Sequence, residues 1–156
     1  MRLHVCAVGR LRRGPERDLY DDYATRLDRT GRALGLGPLT LHEVEDRKGG
    51  GPAAEAALLA RVLPEGAAVC ALDERGKTLS SPDFAAMLAR WRDEGWGAAA
   101  FVIGGADGIA PELVARADVT LSLGRMVWPH MLVRVMLAEQ LYRAAAILAG
   151  SPYHRA

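Results

Sequence analysis

The chain has few of the residues that would make it a disulfide or metal protein. Of its 156 residues only two are cysteines, Cys6 and Cys70. Both fall in runs that read as strands, so they are expected to be small buried hydrophobes and not a disulfide or a nucleophile pair. The four histidines, His4, His42, His130 and His154, are scattered without ligand spacing, and no metal site is expected. No apolar run approaches the roughly 18 residues of a membrane span. The opening MRLHVCAVG is too short for a secretory signal and lacks its cleavage pattern, so a cytoplasmic location is expected. An excess of charge is also missing: the formal net charge is +1, which gives no global pull on nucleic acid. Two nucleotide signatures are absent as well. VGRLRRG puts Leu11 where G-x-G-x-x-G needs glycine, and there is no G-x-x-x-x-G-K-[ST], so neither a dinucleotide fingerprint nor a phosphate-cradling loop is present.

What is present fits one domain over residues 1–156, long enough to bury about 70% of its unfolded surface. Half of the residues are hydrophobic and a quarter charged, an ordinary soluble composition. RLHVCAVG (2–9) is apolar on both faces, as a central strand would be. Helical spacing follows over 15–34, a strand at 38–45 and, after GGGP, a helix around 53–63. AAVCALD (67–73) reads as a third strand. The next helix has Ser81 as N-cap, Pro82 at its first position and Gly95 past its end. GAAAFVIGG is a fourth strand, PELVARA (111–117) a short helix, VTLSLG (119–124) a fifth strand, and a long helix spans about 130–149. Alternation of this kind predicts an α/β fold, a mostly parallel sheet covered by helices on both faces, with ligands bound outside the carboxyl ends of the strands.

Those carboxyl ends are basic. Arg10, Arg12 and Arg13 follow the first strand, Arg47 and Lys48 the second, Arg75 and Lys77 the third, and Arg125 the fifth, whereas many acidic residues lie in the helices. Solvated loops or a surface for phosphates both account for this, and phosphates point to RNA or a nucleotide. FVIGGADGI (101–109) ends an apolar strand on two glycines, with a third at Gly108. Either packing and turn geometry alone, or a ligand gripped by backbone, explains them. LSLGRMVWPHM adds a second glycine loop with Met126, Val127 and Trp128 as an apolar wall. The two loops together suit a purine ring and an apolar sulfonium compound.

LHVCAVGRLR, ALDERGKTLSS, FVIGGADGI, LSLGRMVWPHMLVRVMLAEQLYRA and the tail SPYHRA resemble the ribosomal large-subunit methyltransferase H family, of the SPOUT class of S-adenosylmethionine-dependent RNA methyltransferases. The similarity runs from the first residue to the last and is most specific in the C-terminal third. It implies a parallel α/β sheet whose C-terminal third threads a trefoil knot. It also implies S-adenosyl-L-methionine held by Leu72, Gly104 and the run Leu123, Gly124, Arg125, Met126, Val127, Trp128. It implies a homodimer that methylates N3 of a pseudouridine in 23S rRNA of the assembled ribosome. A SPOUT methyltransferase acting on tRNA, or a ribosome-binding factor without catalysis, are the alternatives. Val127 stands where family members often carry threonine, so a contact made there through backbone is expected to survive.

Methylation of a base carbon generally needs a cysteine nucleophile, whereas transfer to nitrogen needs positioning and removal of a proton. Two cysteines in core strands agree with the second. His130, at the start of the long helix, is a structural residue or a base. The family motif gives Tyr153, His154 and Arg155 an RNA-facing role: stacking, proton handling and holding an anionic oxygen. Arg134 falls inside the apolar arc of its helix, so its charge must be paired, in a structural ion pair or at a joint dimer–substrate site. The same helix carries Leu132, Met136 and Ile147 within its polar face. A helix apolar nearly all round is buried on nearly all sides, which predicts a two-fold partner.

Overall fold

The structure, a computed structural model, describes residues 1–155. Ala156, the last residue of the tail motif, lies outside the described residues. Five strands alternate with five helices: β1 Arg2–Val8, α1 Pro15–Gly31 with a 3-10 turn Arg32–Leu34, β2 Leu39–Val44, α2 Gly51–Val62, β3 Ala68–Lys77, α3 Ser81–Asp93, β4 Ala98–Ile103, α4 Pro111–Ala115, β5 Val119–Leu121 and α5 His130–Leu148. All pairings are parallel, in the order β2-β1-β4-β3-β5.

Alternation along the strands separates two cores. Leu3, Val5, Ala7, Phe101 and Ile103 face one side and pack with Phe84, Leu88, Trp91, Leu137 and Leu141, so α3 and α5 cover that face. Cys6, Val8, Ala71 and Val102 face the other side and meet Ala56, Leu59 and Leu113 of α2 and α4. Every residue of β4 is buried, as expected for a central strand between two helical layers.

Several boundaries differ from the sequence expectation. The hydroxyl that caps α3 belongs to Ser80, which accepts from the Asp83 N–H at 3.1 Å. Ser81 is the first helical residue and donates to Gln140 Oε1 at 2.7 Å instead. β3 does not stop at Asp73. Leu72 and Lys77 both lie opposite Leu121, with Asp73–Gly76 thrown out as a bulge between them. Gly76 is required there because a Cβ would sit 2.6 Å from the Thr120 carbonyl group. β5 ends three residues early. Ser122 Oγ accepts from the Gly124 N–H and donates to the Gly124 carbonyl, both at 3.1 Å, and Gly124 turns at φ +113°.

Candidate active site

A cavity of about 450 Å³ opens at the carboxyl ends of β3, β4 and β5. Leu72, Leu121 and Leu123 come from the strand ends, Val133 from α5, and Met126, Val127 and Trp128 from the loop before α5. Gly105–Ile109 form the facing wall, and Asp73, Glu74, Arg75 and Asp107 line the cavity too, with the Arg75 guanidinium donating to the two carboxylate oxygens of Asp73 at 3.1 and 3.2 Å. The size falls in the range of small-molecule sites, roughly 300–1,000 Å³. Met126 and Val127 are exposed at 74% and 86%, an unusual cost for apolar side chains that a bound molecule would offset.

The glycine loop is built for closeness of backbone to backbone. Gly108 donates its N–H to the Gly105 carbonyl at 3.1 Å and takes φ +82°. A Cβ on Gly104 would lie 2.6 Å from the Gly108 carbonyl carbon and 2.9 Å from Ile109 Cγ1. A side chain at Gly104 would therefore strike its own loop before reaching the ligand space. Gly104 is buried behind the wall, and Gly105 faces the cavity. Behind Gly105 stands Glu55, whose Oε2 would be 2.7 Å from a Cβ at that position. Burial, then Asp107 and Asp46, push its carboxyl above the ordinary range, with His130 opposing.

Of the residues expected to hold a cofactor, Leu72, Leu123, Gly124, Met126, Val127 and Trp128 line this cavity, while Gly104 and the exposed Arg125 do not. Asp73, Glu74, Asp107, Ile109, Leu121 and Val133 line it without having been singled out. Their signal was position alone, at strand ends or in the first turns of α5. The residues present fit S-adenosylmethionine: apolar floor, backbone-rich glycine walls, and the carboxylates of Glu74 and Asp107, able to accept from ribose hydroxyls and an ammonium group.

The tail lies elsewhere and is pinned, not frayed. Tyr153 Oη donates to Glu139 Oε1 at 3.0 Å, and the Arg143 guanidinium binds the same oxygen at 2.9 and 2.6 Å. Arg143 also donates to His154 Nδ1 at 3.1 Å and lies 4.8 Å over the Tyr153 ring. Because arginine has only donors, His154 Nδ1 is the acceptor of this bond. Burial, then the bond to Glu139, raises the Tyr153 phenol above its ordinary value. Arg155 is exposed, and His130 is half-buried at the start of α5, near Gly9. The structure brings Tyr153 and His154 together on Glu139 and Arg143, with Arg155 next in the chain, and leaves His130 apart at the other end of α5. Val133 on the cavity and Arg143 in the tail network are ten residues apart, about 15 Å along the helix.

Comparison with known proteins matches residues 1–154 to the family described as "Predicted SPOUT methyltransferase". Proteins named ribosomal RNA large subunit methyltransferase H are 70% identical in Roseobacter denitrificans and in Ruegeria pomeroyi, and 68% in Dinoroseobacter shibae, each over 99% of this chain and 99% of the relative. The chain belongs to this family of SPOUT methyltransferases. Two solved structures lie further away: a methyltransferase, Lpg2936, from Legionella pneumophila with bound SAM (13% identity, TM-score 0.46, 90% of this chain and 65% of that one), and the SpoU methyltransferase AviRb from Streptomyces viridochromogenes with AdoMet (16%, 0.43, 96% and 59%).

Within this SPOUT methyltransferase the thiols are poor nucleophiles. Cys6 and Cys70 are fully buried, and burial pushes both thiols up to about 12. Arg134 is a structural cation. Its Nη1 donates to the Gly9 carbonyl at 3.0 Å and to Glu43 Oε2 at 2.9 Å, and its Nη2 donates to the Val8 carbonyl at 3.0 Å. Glu43 Oε2 also accepts the Leu11 N–H. This pair fixes the loop after β1.

Proposed function

We propose that the protein is an S-adenosylmethionine-dependent methyltransferase that acts as a cytoplasmic homodimer on N3 of a pseudouridine in 23S rRNA of the assembled ribosome. The observation that carries this reading is the single cavity formed where the glycine loop 104–108 meets the apolar run 123–128, in a chain 70% identical over its full length to proteins named ribosomal RNA large subunit methyltransferase H. Leu72, Leu123, Gly124, Met126, Val127 and Trp128 would hold the cofactor, Gly104 supporting the wall from behind and Arg125 closing the loop from outside. Bound there, the cofactor supplies an electrophilic methyl group on a sulfonium. The threaded C-terminal third implied by the family belongs to the same proposal.

The chain's own residues orient the base and manage charge. N3 of a uracil-type ring is a weak imide acid, and donors at the ring oxygens favour its anion. His154, with Nδ1 accepting from Arg143, turns Nε2 outward, Arg155 adds a cation, and Tyr153, whose hydroxyl proton is committed to Glu139, offers its ring for stacking on a base. With Nδ1 engaged by Arg143, His154 is better suited to donate from Nε2 to a ring oxygen than to remove the N3 proton, which leaves to solvent.

A second protomer makes these parts one site. A groove of about 550 Å³ runs between α1, α3 and α5, lined by Leu19, Tyr23, Leu79, Met136, Glu139 and Leu123. It begins at the cavity wall and ends at the tail network. A partner with α5 antiparallel to this one would cover the groove and bring its own tail to this cavity. Calorimetry with S-adenosylmethionine, sedimentation, and mass mapping of rRNA from ribosomes treated with protein and cofactor test the reading. Tight cofactor binding, a dimer at micromolar concentration and one added methyl on pseudouridine are expected; methylation of tRNA but not ribosomes would refute it.

A further inference from the structure

Five arginines gather at the carboxyl ends of β1 and β2: Arg10, Arg12, Arg13, Arg17 and Arg47, around a shallow depression that also holds Glu43 and Glu45. Most of the local acid is already spoken for. Glu43 is neutralised by buried Arg134, Glu45 lies 3.6 Å from Arg10, and Asp21 holds Arg17 at 3.2 Å. Among the described residues Arg12, Arg13 and Arg47 have no ion-pair partner, and all three are exposed. Like charges gathered this way set up a local positive potential that attracts an anion.

The cluster is also held in place. Arg17 Nη1 donates to the Leu11 carbonyl at 3.0 Å, Glu43 takes the Leu11 N–H, and Arg134 takes the carbonyls of Val8 and Gly9. The backbone of the loop that presents Arg12 and Arg13 is thus fixed at both edges, by side chains of β2, α1 and α5. A solvated loop needs no such buried anchor. The sheet order sets the cluster beside the cavity: β1 is next to β4, whose end carries Gly104, and β4 is next to β3. At about 4.8 Å per strand, the two sites are on the order of 10 Å apart, a distance covered by a few nucleotides of one strand at about 3.4 Å each.

We propose that Arg12 and Arg13, on the loop anchored by Arg134 and Glu43, together with Arg47 on the loop after β2, grip phosphates of the rRNA backbone flanking the nucleotide to be methylated. This rests on the proposed action on rRNA and adds a grip distinct from the cavity and the tail. Phosphate contacts position the substrate without reading its sequence. They explain how a small chain with net charge +1 holds a polyanion: the charge is concentrated where the strand passes.

The test is the double variant Arg12→Ala/Arg13→Ala against the wild type, binding 70S ribosomes and protein-free 23S rRNA at several KCl concentrations, with cofactor calorimetry as the check on folding. Exposed substitutions of this kind leave stability nearly unchanged. Loss of two phosphate contacts should flatten the log Kd–log salt slope by about 1.4 for single-stranded RNA. It should raise the ribosome KM roughly tenfold, with kcat within about twofold and cofactor affinity unchanged. An unaltered slope overturns the proposal. So does a loss confined to ribosomes with naked rRNA unaffected, which assigns the arginines to a ribosomal protein. If the wild type methylates nothing, the enzymatic reading fails, while the slopes still decide the phosphate grip.

Discussion

Replacing Arg134 by Met keeps much of its volume and removes its charge. The side chain is fully buried, with its partner Glu43 at 21% exposure. Three hydrogen bonds vanish, and the carbonyls of Val8 and Gly9 lose the donor described above. Breaking a buried pair by removing one member typically costs about 3–5 kcal/mol. Glu43 keeps the Leu11 N–H and some water, which places the loss near the lower end, about 3 kcal/mol. For a domain of this size that is a fall in Tm of about 6–12 °C. Urea unfolding of Arg134→Met and of Arg134→Met/Glu43→Gln separates charge from packing. The double variant strands no carboxylate and should recover at least about 1 kcal/mol of the loss. Arg134→Met as stable as wild type, or a double variant worse than additive, would refute the assignment of Arg134 as a structural anchor.

Gly104→Ala should lower cofactor affinity at least tenfold by calorimetry and also lower Tm, because the new Cβ meets the Gly108 carbonyl carbon at 2.6 Å. Removing residues 153–156 should leave cofactor affinity nearly unchanged and cut methyl transfer to ribosomes severely, since the tail network lies well along α5 from the cavity; full transfer by the truncated chain would contradict a role on RNA. Met136→Glu should give monomers in sedimentation with little activity, as it sets a charge in the groove between α1 and α5. His4 packs against His42, with Nδ1 and Nε2 2.9 Å apart, and burial, then His42, then Arg2 lower its pKa. A histidine lowered in the folded state takes up protons on unfolding, so stability should fall as pH drops below the unfolded value of about 6.5. His4→Gln should flatten that slope in urea titrations between pH 8 and 5.5.

Local pattern carried much of the fold. The apolar runs around β1 and β4 and the long apolar α5 were legible to within about a residue because their neighbours are glycine, proline or charge. The order of the strands was not, since which strand lies beside which depends on pairings tens of residues apart. The cap of α3 shows the same limit at close range: Ser80 and Ser81 are equal candidates until Gln140, distant in sequence, claims the second hydroxyl. Arg134 announced that it needed a partner, yet Glu43, 91 residues away, carried no mark of being that partner. In the site, the glycines and the apolar run before α5 were visible, whereas Ile109 and Val133 look like any core residue, and Asp73, Glu74 and Asp107 like any loop carboxylate, until the walls are assembled.

The sheet order also bears on how the chain is made. β1 can pair with β2 early, but its other edge waits for β4, and β3 has neither neighbour until β4 and β5 exist. From the end of β1 at Val8 to the start of β4 at Ala98, synthesis at about 5–20 residues per second takes roughly 5–18 s. Throughout that interval an apolar strand with an open edge is displayed, the kind of surface that invites pairing with another chain. High contact order slows the closing step as well. Yield on expression should therefore depend on how quickly β4 is delivered: chains ending before Ala98 would collect in the insoluble fraction, and slowed translation between β1 and β4 would divert the full-length protein towards the same fate.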